Sequence, residues 1–166
     1  MVEELRKDVD HLKQIKEFKE YRHKCPNSYL CAGFMMLENA KGGNWQIDYY
    51  CPDSDKITTF SLGSKLDMKE GKTFHKDKKK IDELNLENID VGMKKALEIV
   101  SGLRDKNYPG EIATKIIIIL QNLEKKEIWN ITYLTSSFKL LNVNVDAQNG
   151  NVIKEKLESV LSFTAK

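Results

Sequence analysis

Hydrophobic residues near the N-terminus recur at helical spacing. The stripe consists of Leu5, Val9, Leu12 and Ile15. Lys, Glu and Asp occupy most of the positions between them, so one face of a helix would be apolar. This pattern predicts a helix over residues 3–23. Pro26 would end it, because the residue before a proline avoids the helical conformation.

Three segments after this helix have the composition or the alternation of β-strands. They are residues 29–37, 44–50 and 56–62. In the second segment Trp45, Ile47 and Tyr49 would share one face, which is the pattern of a half-buried antiparallel strand. The segments between the strands are rich in Gly, Asn, Asp and Pro, as turns are.

The second half of the chain has a similar order of patterns. Asp90 is a candidate N-cap for a helix over residues 91–106. The strands expected after it are residues 113–121, 128–134 and 138–145. Asn149 and Gly150 suit a turn with positive φ. After this turn Ile153, Leu157, Val160 and Leu161 recur at helical spacing, which predicts a short C-terminal helix.

The two tryptophans indicate an internal repeat. Trp45 opens a Trp-x-Ile-x-Tyr run, and Trp129 opens another 84 residues later. We therefore expect an α+β fold of two repeated units, each a helix followed by a three-stranded antiparallel meander. The first unit would be residues 1–63 and the second 89–166. Residues 64–88 would form a charged connector, with a possible short helix around Ile81 and Leu84.

Each tryptophan falls at an inward strand position, so we expect both to pack in the core under their own helices, not to form an exposed binding platform.

Three segments of the second half resemble the PepSY domain family. They are residues 89–99, with an Ala96-Leu97 pair, residues 129–133, and residues 143–153, where a Val-Asp-Ala run precedes a turn glycine. The resemblance covers residues 89–153 and extends to the first unit only through the repeat. It implies a small, mostly non-catalytic helix-and-meander module, of a kind found in peptidase pro-segments, membrane-bound sensors and stand-alone proteins. On the residues alone, Asp146 can accept hydrogen bonds from the turn amides, and Gly150 tolerates a left-handed backbone.

Composition narrows the function classes. The chain is 40% hydrophobic and 31% charged, with a net charge of +2. A balance so close to neutral gives no global electrostatic argument for nucleic-acid binding, so we do not expect nucleic acid as a partner. We expect no membrane association, because no run of 18 apolar residues exists. The charged N-terminus has no apolar signal-peptide core, so a full-length chain would be cytoplasmic. A leader removed from a precursor would leave no trace here.

No constellation of residues indicates a catalytic, cofactor or metal site. His23, Cys25 and Cys31 lack the paired spacing of zinc sites. The odd number of cysteines favours reduced thiols, although a Cys25–Cys31 disulfide remains an alternative. The remaining histidines, His11 and His75, form no recognisable triad with a nucleophile.

Two charged segments are candidate binding sites, one for calcium and one for nucleic acid or an acidic partner. Residues 53–55 contain two aspartates, but the remaining ligand positions of a calcium loop do not follow. Residues 72–80 form a basic cluster that could contact nucleic acid or an acidic partner. The surrounding residues 64–90 contain seven basic and seven acidic side chains, which favours a solvated linker.

These patterns predict a non-enzymatic module that binds an unknown protein or peptide. Its two meanders would form a continuous surface, or a groove between the units, that holds the partner, and exposed edge strands at residues 29–37 or 113–121 could also accept a partner strand. The alternative is a small-molecule-binding protein or enzyme with a pocket between sheet and helix. Tyr50, Tyr108 and Tyr133 are candidates to line it. The sequence does not predict the oligomeric state.

Overall fold

A computed structural model describes residues 2–39, 41–72 and 81–161, which form an α+β fold. The helices are α1 (Val2–Leu12), α2 (Lys16–Lys24) and α3 (Met93–Asn107), with a short 3-10 helix at Leu86–Asn88. The strands of the first half are β1 (Tyr29–Glu38), β2 (Lys41–Gly42), β3 (Gln46–Cys51), β4 (Lys56–Ser61) and β5 (Asp67–Lys72). Those of the second half are β6 (Ala113–Leu123), β7 (Lys126–Thr135), β8 (Lys139–Asp146) and β9 (Val152–Ser159).

All nine strands belong to one antiparallel sheet, in the order β5-β4-β3-β1-β6-β7-β8-β9, with β2 paired to β1 alone. The central pair joins the two halves of the chain, with Met35 opposite Ile118. The expectation that residues 29–37 and 113–121 form exposed edges is therefore wrong. Both strands are apolar on both faces, and a central position shields such strands better than an edge does.

The core lies on one face of this sheet, under all three helices. The buried helical residues are Leu5, Val9, Leu12, Phe18, Tyr21, Ala96 and Val100, and they form a single cluster with inward strand residues. Gly33 of β1 permits one close approach, because a Cβ there would lie 2.9 Å from Leu5 Cδ2. The opposite face of the sheet carries no helix in the described part of the chain. We call it the open face.

The predicted helix over residues 3–23 is two helices, and this expectation needs correction. The chain breaks before α2, where Ile15 adopts an extended conformation with ψ 134°. In an unbroken helix Phe18 would point about 120° away from Leu12, at about 100° per residue. The break turns α2 so that Phe18 and Tyr21 also reach the core.

The helix of the second half begins later than predicted. Gly92 is the N-cap, and α3 starts at Met93. The N–H groups of Asp90 and Val91 both donate to the carbonyl of Ala147, at 3.0 and 2.8 Å. This tertiary contact holds residues 90 and 91 outside the helix, so the prediction of Asp90 as the N-cap is wrong.

Most of the segment predicted as a C-terminal helix, residues 152–159, is instead the edge strand β9, whereas Leu161 is helical and the residues after it lie outside the described part of the chain. Leu157 pairs with Leu141 and Lys156 with Asn142 of β8, so pairing with the sheet overrides the helical spacing. The charged side chains of β9 suit an edge strand, because charge discourages pairing with other molecules.

The turn before β9 behaves as predicted. Gly150 has φ +81°, and Asp146 Oδ1 accepts from the amides of Gln148 (2.8 Å) and Asn149 (3.3 Å).

The segment predicted as a connector contributes to the sheet and the core. Its residues 67–72 form β5, which is a fourth long strand beside the three expected in the first half. The short helix expected around Ile81 and Leu84 is not found in residues 81–85, where the described chain resumes. The Leu84 N–H donates to the carbonyl of Leu30 (2.8 Å), which places a buried Leu84 over the end of β1.

The prediction that both tryptophans lie in the core is confirmed. Trp45 is 1% exposed and Trp129 is fully buried. Their ring centroids lie 6.3 Å apart, so the two rings meet beside the central strand pair as well as packing under helices. This contact links the two halves of the core.

Candidate functional site

An apolar strip runs along the middle of the open face. It consists of Phe34 and Met36 of β1 and Ile117 and Ile119 of β6. Phe34 pairs with Ile119, and Met36 with Ile117. Their alternation with Met35 and Ile118, which point into the core, directs them away from the helices. Met36 is 40% exposed and the other three are half-buried. The strip therefore presents apolar surface on a sheet face that no described helix covers.

A polar ladder lies beside the strip on β7 and β8. Asn142 Nδ2 donates to Asn130 Oδ1 (2.7 Å) and to Thr132 Oγ1 (2.8 Å). Asn144, which pairs with Asn130, has a buried side-chain oxygen without a partner among the described residues. The Asn142 amide nitrogen is thus engaged within the ladder, and an amide oxygen such as that of Asn142 can accept a hydrogen bond from a backbone N–H of another molecule.

Asp48 is the acidic group on the other side of the strip. It lies on β3, and the hydroxyl of Thr59 on β4 donates to its Oδ1 at 2.6 Å. Burial raises the pKa of this carboxyl, and the hydrogen bond from Thr59 only partly offsets that effect. The open face therefore has a half-buried carboxyl group beside the apolar strip.

The helix side of the molecule contains a separate cleft of about 710 Å³. Its walls come from α1, α2 and residues 83–87, and Phe18 and Tyr49 contribute aromatic surface. The charged groups lining it include Asp10, Lys13 and Lys19. Both signs of charge are present, so the lining does not select a ligand by net charge.

Two arginines at this cleft are already engaged within the protein. Arg6 donates to the carbonyl of Leu86 (2.7 Å) and to Glu3 (2.7 Å). Arg22 donates to both oxygens of Ser28, and its guanidinium lies 6.0 Å from the Tyr49 ring centroid. These contacts hold the cleft walls to each other, so both arginines have structural roles.

The tyrosines predicted to line a pocket lie apart from this cleft. Tyr133 is buried in the core. Tyr50 donates to Asp55 (2.6 Å), and Tyr108 donates to Glu155 (3.1 Å). None of the three is among the residues that line the cleft.

The other candidate residues are likewise dispersed. His23 is exposed on α2, whereas Cys31 is buried in β1. Within residues 2–39, 41–72 and 81–161, no three His, Cys, Asp or Glu side chains are placed to hold a metal ion. His75 and most of the basic cluster 72–80 lie outside the described residues. The two aspartates of residues 53–55 lie in an exposed turn.

The sequence predicted a continuous surface formed by the two meanders, but it did not predict which residues form the open face, although strand alternation indicates some of them. The alternation in β3 and β7 separates inward residues such as Ile47 and Ile131 from outward residues such as Asp48 and Asn130. What no local pattern reveals is that the helices of both halves pack on the same side. The run of residues 116–120 also conceals an outward set, because every residue in it is apolar.

One solved structure resembles this fold. It is the crystal structure of a "putative lipoprotein" from Clostridium difficile 630, with a TM-score of 0.54 and 15% sequence identity. The likeness covers 86% of this chain and 90% of that one, and it shows a shared fold. No family model matches the chain, and no curated protein matches it. No helix within the described residues is long and apolar enough to cross a membrane.

Proposed function

We propose that the protein is a non-enzymatic binding module whose open face holds a segment of a partner protein. The observation that carries this proposal is the apolar strip beside the asparagine ladder. Apolar side chains of a partner would pack on Phe34, Met36 and Ile117, and a backbone N–H of the partner would donate to the side-chain oxygen of Asn142. Few groups on this face could serve as acid, base or nucleophile, which favours binding over catalysis.

We further propose that the chain is a tandem of two PepSY-like units. The support is the parallel order of elements: α2, β1, β3, β4 and β5 in the first half, and α3 with β6 to β9 in the second. Trp45 and Trp129 take equivalent places before the same Ile-x-Tyr pattern. Each unit would supply four strands to the sheet, and the binding face would span both units.

A peptide display experiment on the intact chain tests the binding proposal. Peptides selected from a random library against the wild-type protein would be retested on Met36→Lys and on Met68→Lys. The two methionines are a matched pair because each is 40% exposed. Met36 lies on the open face. Met68, on the edge strand β5, pairs with the inward-facing Phe60 of β4 and therefore lies on the helix side of the sheet. We expect Met36→Lys to weaken binding at least about tenfold, a loss of about 1.4 kcal/mol, and Met68→Lys to leave it unchanged.

Two outcomes would contradict this proposal. One is a library that yields no peptide bound by the wild-type protein. The other is a set of peptides that tolerate Met36→Lys but are lost on Lys19→Glu, which alters the helix-side cleft. That result would favour the second candidate function, a ligand site in the cleft between helices and sheet, which its volume of about 710 Å³ permits.

A further inference from the structure

The helix-side cleft is lined by charges whose sign differs between its walls. Its helix wall carries four cationic side chains, those of Arg6, Lys13, Lys19 and Arg22. The other wall, residues 83–87, carries the carboxylates of Glu83 and Glu87. Asp10 is the one carboxylate that the helix wall contributes to this lining. The cleft thus has little net charge, but its positive and negative groups lie largely on different walls.

One face of α1 runs along the cleft. Arg6, Val9 and Asp10 line it, and so does Lys13. These positions are three or four residues apart and therefore lie on the same side of a helix. Lys13 follows the last residue of α1, but its N–H donates to the carbonyl of Val9 at 3.1 Å, so the helical turn extends to it. At about 1.5 Å per residue, the face from Arg6 to Lys13 is about 10 Å long.

The break between α1 and α2 adds the cations of a second helix to the same wall. Lys19 and Arg22 are one turn apart on α2, and both line the cleft. Arg22 is held by its hydrogen bonds to Ser28, as Arg6 is by its bond to Leu86. The two lysines are therefore the cations of this wall that remain available to a ligand.

The lysines and carboxylates of the cleft do not neutralise one another. Within the described residues, the ion pairs formed by α1 and α2 are Arg6–Glu3 and Lys16–Glu20, and neither of them joins the two walls. Lys13, Lys19 and Glu83 are exposed to solvent. A ligand therefore pairs with these charges without breaking an internal ion pair.

We propose that this cleft binds a short peptide with free ends, whose carboxylate meets Lys13 and Lys19 and whose ammonium meets Glu83. An apolar side chain of the peptide packs on Phe18 and Tyr49. A free amino acid carries both charges on one carbon atom, whereas the ends of an extended tripeptide lie about 10 Å apart, at about 3.3–3.6 Å per residue. The longer dipole suits walls of opposite charge. The cleft volume of about 710 Å³ is within the roughly 300–1,000 Å³ of small-ligand sites.

Calorimetric titration of the intact chain with four forms of the tripeptide Ala-Phe-Ala tests the proposal. The forms are free at both ends, N-acetylated, C-amidated and blocked at both ends. The free form should bind. Each single block should weaken binding about three- to tenfold, because it removes one charged contact at the rim of the cleft. The doubly blocked form should bind most weakly.

Two variants assign the charges to the peptide ends. Lys19→Gln should weaken binding of the free form and reduce the effect of amidation but not that of acetylation, and Glu83→Gln should do the converse. The matched controls are Lys16→Gln and Glu17→Gln, which change exposed residues of α2 outside the cleft and should bind like the wild type. Met36→Lys should also bind the tripeptide like the wild type, because this site lies on the other side of the sheet and does not depend on the open face.

Three results would overturn this assignment. One is the absence of saturable binding of the free tripeptide at millimolar concentration. Another is equal affinity of the free and the doubly blocked forms. The third is an equal loss in Lys16→Gln and Lys19→Gln, which would show that the net charge of the chain governs binding. The comparison of the four peptide forms uses the wild type alone, so it does not depend on the folding of any variant.

Discussion

At the scale of single residues, the two tryptophans occupy similar places but differ in one hydrogen bond. Trp129 Nε1 donates to the carbonyl of Val91 at 2.7 Å, just before α3 begins. Trp45 Nε1 is buried and has no partner among the described residues. Leu5 of the helix α1 packs near Trp45 instead, and carbonyls inside a helix are already paired. A buried N–H without a partner costs free energy. The indole N–H of Trp129 therefore stabilises the fold, whereas that of Trp45 destabilises it.

This difference predicts unequal effects of the same substitution. Trp129→Phe leaves the Val91 carbonyl without its donor, which adds about 1–3 kcal/mol to the cost of the smaller ring. Trp45→Phe removes an unpaired buried N–H, so part of its packing cost is offset. We expect Trp129→Phe to lower the free energy of unfolding more than Trp45→Phe does. Urea denaturation followed by circular dichroism measures both, and equal losses would contradict the argument.

At the scale of elements, the sequence predicted strands better than helix ends. The strands β3 and β7 follow from the alternation around Trp45 and Trp129, which depends only on which face is buried. The start of α3 and the break before α2 depend on tertiary contacts, namely the carbonyl of Ala147 and the burial of Phe18. The strand β9 was missed because the spacing of Ile153 and Leu157 fits a helix locally. Hydrogen-bonded pairing with β8, which the local sequence does not show, makes the segment a strand.

Two glycines in these elements should respond oppositely to alanine. Gly102 is exposed in the interior of α3, and a Cβ there would meet nothing within 4 Å. Gly102→Ala should therefore raise the free energy of unfolding by about 0.5–1 kcal/mol, the helix-propensity difference. Gly150 has φ +81°, and a Cβ there would lie 3.4 Å from Ile99 Cδ1.

Gly150→Ala should accordingly lower the free energy of unfolding by about 1–2 kcal/mol, because the left-handed backbone strains any residue with a Cβ. Thermal unfolding of both variants beside the wild type checks the pair. A stabilised Gly150→Ala would show that the turn after β8 adopts another conformation. A destabilised Gly102→Ala would show that Gly102 does not lie on the exposed side of α3.

At the scale of the whole molecule, the sequence indicated two similar halves but not how they join. The pairing of β1 with β6 has no local signal, since each strand reads only as an apolar segment. The candidate binding face was hidden for the same reason: it exists because both halves place their helices on one side of a shared sheet. The contact between Trp45 and Trp129 then makes the core continuous across the junction.

A continuous sheet and core predict that the two halves unfold together. Trp fluorescence reports on the junction and far-ultraviolet circular dichroism on all elements, so both should show one coincident transition.

Ile118 is fully buried at the junction, and Ile118→Ala should lower the free energy of unfolding by about 2–5 kcal/mol. Because the halves share the junction, this variant should shift both probes equally. Phe138→Ala is the control, since Phe138 is 70% exposed and should leave both midpoints unchanged. Two separated transitions in Ile118→Ala would mean that each half folds on its own, and that the shared sheet contributes little to the stability of either.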